Sequence, residues 1–195
     1  MNLKFASLKK ILFLGYNDKE TKIIKELRKK GNIVINTSKK INSFSDYDLI
    51  ISFGYKHIIS KNLIYNPKIS IINLHISYLP WNRGAHPNFW SFYEDTPKGV
   101  TIHLIDEGID TGAIIYQKEI TFDRSEKTFE STYQRLIQEI EKLFIKNMDN
   151  LLNGDFEAKK QVGEGTFHKR NDLPDDFKGW NKDIKNEISR LKNNQ

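Results

Sequence analysis

Four short apolar runs, at residues 10–16, 33–36, 48–53 and 69–74, lie within the first 75 residues of this chain. Each is of strand length and too short for an ordinary helix, and the first, at 10–16, reads as a buried strand. Between the first two, Ile23, Ile24 and Leu27 make a helical stripe. Asn17 or Asp18 can cap its start, and Gly31 falls just beyond its end. A strand, helix, strand opening predicts an α/β architecture, with a mostly parallel central sheet flanked by helices. At 195 residues the chain can build one core plus a small appendage. The apolar stretch at residues 11–16 is too short for a signal-peptide core or a membrane span, and the expectation is a cytoplasmic protein without membrane contact.

The second half reads differently. Residues 100–105 alternate, with Val100, Ile102 and Leu104 on one face and Thr101, His103 and Ile105 on the other, which predicts a strand with one face buried. A tight, glycine-containing connection at 106–112 leads to a second strand at 113–117, hence a hairpin. A helical turn is expected at 57–62. Residues 126–152 predict one long helix, its stripe running Phe129, Tyr133, Leu136, Ile140, Phe144, Met148 and Leu151 until Gly154 stops it. Beyond Phe156 the sequence is polar and irregular up to a last helical pattern at 183–191. The division is therefore a core at 1–155 and a short C-terminal extension at 156–195.

The net charge of +6 invites a nucleic-acid reading, but its distribution argues against one. Residues 1–40 carry eleven Lys or Arg against three acids, while 41–120 carry six against eight and 121–195 balance at fourteen each. The surplus is thus a lysine-rich face around one helix, without interleaved aromatics or helix-turn-helix spacing, and no nucleic-acid partner is expected. The absence of Cys excludes disulfide scaffolds, thiolate zinc sites and cysteine nucleophiles. No phosphate-binding glycine signature follows the first strand, and no metal-ligand spacing is present, so no metal is expected.

One block stands out for chemistry: Asn73-Leu74-His75-Ile76-Ser77-Tyr78-Leu79-Pro80, where an apolar strand passes into a loop. In parallel sheets that carboxyl end is where active sites lie. The strand period puts Asn73 and His75 on one face, so an amide that can donate to an oxyanion stands beside an imidazole that can move a proton. Asp110, in the turn Gly108-Ile109-Asp110-Thr111-Gly112, could stabilise a charged imidazole. From residue types alone, the simpler account is a strand-end polar pair satisfied by its neighbours.

Taken together, Asn73-Leu74-His75-x-Ser77-x-Leu79-Pro80, Gly99-Val100-Thr101-x-His103 and Asp106-Glu107-Gly108-x-Asp110-Thr111-Gly112 resemble the formyltransferase family. The resemblance covers roughly residues 10–150. It implies a Rossmann-like core, 10-formyltetrahydrofolate as formyl donor, and Asn73, His75 and Asp110 as the catalytic trio. An acceptor amine would attack the formyl carbon while Asn73 and His75 hold the oxyanion. It also implies folate contacts, largely through backbone, at Phe53, Gly54, Tyr55, Lys56, His57 and Ile58 and at Asp106 and Gly108. For Tyr55 and His57, ordinary loop packing is an equal alternative.

The loop from Pro80 to Ser91, with residues 165–173, resembles the nucleotide-sugar N-formyltransferases in particular. That implies a nucleotide-linked amino-dideoxy sugar as acceptor, dTDP-linked by preference, and acceptor contacts at Tyr78, Trp81, Asn82, Arg83 and Gly84. A homodimer is a further possibility of this reading. Trp81, Phe89 and Trp90 fit wall and core better than a base-stacking shelf, whereas His168, Arg170 and Trp180 could close over a nucleotide. Two alternatives stay open: a formyltransferase for glycinamide ribonucleotide or methionyl-tRNA, and a folate- or nucleotide-sugar-binding module that does not turn over.

Overall fold

The computed structural model describes residues 8–43, 46–65, 69–123 and 126–193, so the outer ends of both assigned ranges lie outside the described residues. In chain order the elements are β1 (Lys10–Gly15), α1 (Ile23–Lys29), β2 (Ile33–Thr37), β3 (Leu49–Phe53), α2 (Lys61–Ile64) and β4 (Ser70–His75). They continue with β5 (Arg83–Gly84), α3 (Pro87–Tyr93), β6 (Gly99–Leu104), β7 (Ile114–Glu119), α4 (Phe129–Lys146) and α5 (Met148–Asn153). The last are β8 (Phe167–His168), a 3-10 turn at Arg170–Asp172, and α6 (Ile184–Asn193).

The main sheet has six strands in the order β2-β1-β3-β4-β6-β7. β1 pairs in parallel with β2 and β3, and β3 with β4. β6 reverses direction, pairing antiparallel with β4 and with β7. This is the predicted mostly parallel, Rossmann-like arrangement, with the hairpin at its far edge. One face, carrying Ile11, Phe13, Ile51, Phe53, Ile72, Val100 and Ile102, is covered by α1, α4 and α5 through Ile24, Leu27, Leu136, Ile140, Phe144 and Leu151. Deleting one such side chain costs about 2–5 kcal/mol. The opposite face, with Leu12, Leu14, Ile50 and Ile71, has a thinner cover of loop residues and α2. That thinness leaves room for a cleft.

A third cluster joins α3, the start of α4 and α6 through Phe89, Trp90, Phe129, Ile184 and Leu191. Phe89 and Phe177 both pack against the Phe129 ring, at 5.4 and 5.5 Å between centroids. The extension is thus fastened to the core by aromatic packing as well as by β8, which pairs in parallel with β5 in a separate two-stranded ribbon.

Several local expectations change. Neither Asn17 nor Asp18 caps α1; the Asn17 carbonyl instead accepts the N–H groups of Glu20 and Thr21, and the helix begins only at Ile23. The expected turn at 57–62 becomes α2, shifted to Lys61–Ile64. The long helix is interrupted at Asn147 (φ −107, ψ 12), whose side-chain amide donates to the Leu143 carbonyl at 2.8 Å. Its N-terminus is set by Thr128, which accepts from the Ser131 N–H in a capping box. The second face of β6 is not solvent-facing: Thr101 is 0% and His103 2% exposed. Both are enclosed beneath the site described next, and Thr101 Oγ1 donates to the Ser77 carbonyl at 2.7 Å.

Candidate active site

Strand register assembles the centre. In the antiparallel β4–β6 pair, Asn73 lies opposite His103 and His75 opposite Thr101, so all four side chains share one face. The connection from β6 to β7 folds back across that face and brings in Asp110. Its Oδ1 accepts from Asn73 Nδ2 at 3.1 Å and lies 3.5 Å from His103 Nε2. Its Oδ2 accepts from the Gly84 N–H at 2.9 Å and lies 3.6 Å from His75 Nδ1. Burial pushes the Asp110 carboxyl up, yet the neighbouring His75 and His103 imidazoles and the Gly84 N–H outweigh it and hold the group well below the usual carboxylate range.

His75 is nearly buried, with Nε2 3.1 Å from the Asn82 carbonyl. A proton on Nε2 is therefore held by backbone, which leaves Nδ1, facing Asp110, as the nitrogen able to take another. Asn73 Nδ2 is committed to Asp110 and to His103 Nε2, both at 3.1 Å. Donation from this amide to a developing oxyanion requires one of those contacts to be given up. His103 Nδ1 lies 2.7 Å from the Leu104 carbonyl, which accepts its proton and leaves Nε2 to accept from Asn73.

These groups stand at the middle of a cleft of about 1110 Å³. At one end, the β3–α2 loop contributes Phe53, Gly54, Tyr55, Lys56, His57 and Ile58, facing Asp106, Gly108 and Ile109 of the β6–β7 connection. Backbone dominates here: the Asp106 carboxylate is spent on its own turn, accepting from the Gly108 N–H and Thr111 Oγ1. At the other end the walls are Gly84, His86, Glu130, Gln134, Lys169 and Trp180. His86 and Trp180 approach at 5.3 Å between ring centroids, and burial next to Arg170 pushes the His86 imidazole below its ordinary value. His168 stacks on Trp90 at 3.9 Å between ring centroids, its Nε2 3.1 Å from Glu94 Oε1.

All the residues expected to touch the folate therefore line the cleft together with Asn73, His75 and Asp110. The acceptor set divides. Gly84 lines the cleft, but Tyr78, Trp81, Asn82 and Arg83 do not. Asn82 is fully buried, its amide hydrogen-bonded to Thr96 and its backbone N–H to Thr166. Arg83 turns away to Gln161, and Tyr78 packs over Gly99. Gly84 itself, at φ +87, admits no side chain: a Cβ would meet the His168 carbonyl at 2.3 Å. The sequence reading assigned no role to His103, although its register opposite Asn73 is a detectable signal. Gln161 carries no such local signal. Among the described residues no group of His, Asp or Glu side chains is placed to hold a metal, and no helix is long and apolar enough to cross a membrane.

A profile of the formyl transferase family matches residues 10–148. Methionyl-tRNA formyltransferase of Thermodesulfovibrio yellowstonii is 34% identical over 148 residues, 75% of this chain and 47% of the relative. The dTDP-4-amino-4,6-dideoxyglucose formyltransferase of Mycobacterium bovis is 32% identical over 127 residues, 65% of this chain and 53% of its own length. The chain thus spans about half the length of these curated relatives. Among solved structures, the formyltransferase PseJ from Anoxybacillus kamchatkensis was determined in complex with UDP-4,6-dideoxy-4-formamido-L-AltNAc and tetrahydrofolate. It superposes with a TM-score of 0.82 at 40% identity, covering 93% of this chain and 98% of that one. Because the matched span runs from β1 through α4 and contains the strand end and turn that bring Asn73, His75 and Asp110 together, this chain belongs to the formyl transferase family.

Proposed function

We propose that this protein transfers a formyl group from 10-formyltetrahydrofolate to the amine of a nucleotide-linked amino-dideoxy sugar. The observation that carries the reading is the meeting of Asn73, His75 and Asp110 on the wall of one cleft. The backbone-rich end between Phe53–Ile58 and Asp106–Gly108 suits the flat, hydrogen-bonding pterin of the donor. The end bounded by His86, Trp180, Lys169 and Arg170 offers aromatic faces for a base and two cations for a diphosphate. The similarity to PseJ, solved with a UDP-linked formamido sugar, favours a UDP-linked acceptor over the dTDP-linked one that the loop residues suggested.

When bound, 10-formyltetrahydrofolate supplies the electrophilic formyl carbon. His75 Nδ1 takes the proton released as the amine nitrogen bonds to that carbon, while its Nε2–H stays on the Asn82 carbonyl. Asp110 stabilises the imidazolium so formed, and His75 Nδ1 returns that proton to the folate nitrogen as its bond to the formyl carbon breaks. Asn73 exchanges one of its two contacts for the formyl oxygen as charge develops there. The products are a formamide and tetrahydrofolate.

Incubation with 10-formyltetrahydrofolate and a panel of UDP- and dTDP-linked amino sugars, glycinamide ribonucleotide and methionyl-tRNA tests this directly. Mass spectrometry is expected to find one formyl group on a nucleotide sugar. Modification of methionyl-tRNA alone would favour the second reading, which the similarity to the Thermodesulfovibrio yellowstonii enzyme supports. Binding of folate without any formylated product would leave a binding module.

A further inference from the structure

Gln161 lies outside the cleft lining, in the polar stretch before β8, yet its amide is saturated by contacts to both sides of the catalytic centre. Its Nε2 donates to the Asp110 carbonyl at 2.8 Å and the Gly112 carbonyl at 2.9 Å. Its Oε1 accepts from Arg83 Nε at 3.0 Å and Nη2 at 2.7 Å. Two donors and two lone pairs are all an amide has, so Gln161 can adopt only one orientation while these partners remain. The cationic fork on its oxygen also strengthens both N–H donors, since hydrogen bonds polarise one another.

The residue it grips has a backbone conformation that needs support. Asp110 has φ +54, a left-handed conformation that an aspartate adopts at a cost, and such residues persist only where their surroundings over-determine them. Gln161 pins the carbonyls on both sides of Thr111, while the Gly84 N–H fixes the Asp110 carboxylate from the other side. Arg83 precedes Gly84 in β5, so one side chain ties the strand that donates to Asp110 to the turn that carries it.

We propose that Gln161 is a positioning residue for the formyl transfer, setting the Asp110 carboxylate against His75 and Asn73, with Arg83 orienting Gln161 instead of contacting substrate. This rests on the role given to Asp110 above. A simple staple would be felt in stability; a positioning device is felt in turnover by folded molecules.

The test uses the full chain and the variants Gln161→Glu, Gln161→Ala and Arg83→Lys. Glu keeps the shape and the bond to Arg83 but presents no donor to the two carbonyls. Both Gln161 variants are expected to lower kcat about 10²-fold, since an error of about 1 Å in a catalytic group has that effect. KM for donor and acceptor should stay within about threefold, as it does when an interaction acts in the transition state alone. Arg83→Lys should give a smaller loss of the same kind. Full kcat in Gln161→Glu would overturn the proposal, and a rise confined to acceptor KM in Arg83→Lys would return Arg83 to the substrate. If the parent protein formylates no acceptor, the functional reading fails, and amide hydrogen exchange then decides the positioning. Removal of the donors is expected to speed exchange across 106–112 at least tenfold and leave β1 and β3 unchanged. Equal exchange would overturn it.

Discussion

The two ends of the cleft are built by opposite means. The donor end sits on β1, β3 and β4, whose paired apolar faces need no long-range polar contact to stay in register. The acceptor end is assembled from β5, α3 and the extension, joined by a two-residue strand pairing, by Thr166 on Asn82 and by an aromatic cluster centred on Phe129. Sheet geometry therefore places the chemistry, while removable contacts shape the recognition. In the first half, exposed positions away from the reacting groups should tolerate substitution, and the second should respond at many positions.

The sharpest way to break that contrast is His75→Ala. It is expected to lower kcat/KM by about 10³-fold or more with the melting temperature close to that of the parent, measured by initial rates beside thermal unfolding. A loss below tenfold would remove His75 from proton transfer. Next, Phe129→Ala should cost about 3 kcal/mol of stability, because this fully buried ring packs against Phe89, Phe92, Phe177 and Trp180. Proteolysis should then cut the extension first; simultaneous cleavage of both regions would show that they do not differ in the way described.

Asp110→Asn sharpens the comparison at acid pH. A carboxyl held below its unfolded value contributes stability that is fully present above about pH 4 and lost as pH falls through the folded value. The parent should thus lose stability more steeply than the variant below about pH 4, and parallel acid-unfolding curves would contradict the environment described for Asp110. The smallest effect belongs to Trp180→Ala, expected to raise acceptor KM by about tenfold through loss of a stacking face, with donor KM unchanged. Equal shifts in both constants would place the ring elsewhere in recognition.

The same division explains what could be read from the residues. Runs such as Ile11–Leu14 and Leu49–Ile51 declare strands because burial on both faces demands apolar side chains in succession. Asn73 and His75 share a strand face by period alone, but their grouping with Asp110 rests on motifs that resemble the formyltransferase family and not on spacing. The break at Asn147 was hidden because the apolar stripe continues through Met148 and Leu151, while the interruption comes from one side-chain bond to the Leu143 carbonyl. β8 was invisible because Phe167 and His168 become a strand only through Arg83 and Gly84, far earlier in the chain. Likewise the Arg83–Gln161 contact leaves no local trace, because the two residues are 78 apart in the chain.

The parallel pairing of β5 with β8 has a consequence for the order in which the molecule becomes competent. A nascent chain that has emerged only through α5 already possesses the strands bearing Asn73, His75 and His103 and the turn bearing Asp110. It still lacks Gln161, Thr166 and His168, so the strand whose amide steadies Asp110 has nothing alongside it. Because domains fold from the N-terminus during synthesis, the strands that carry Asn73, His75 and His103 can form on the ribosome before β8 has been made. The steadying of Asp110 is in this sense added to a scaffold already in place.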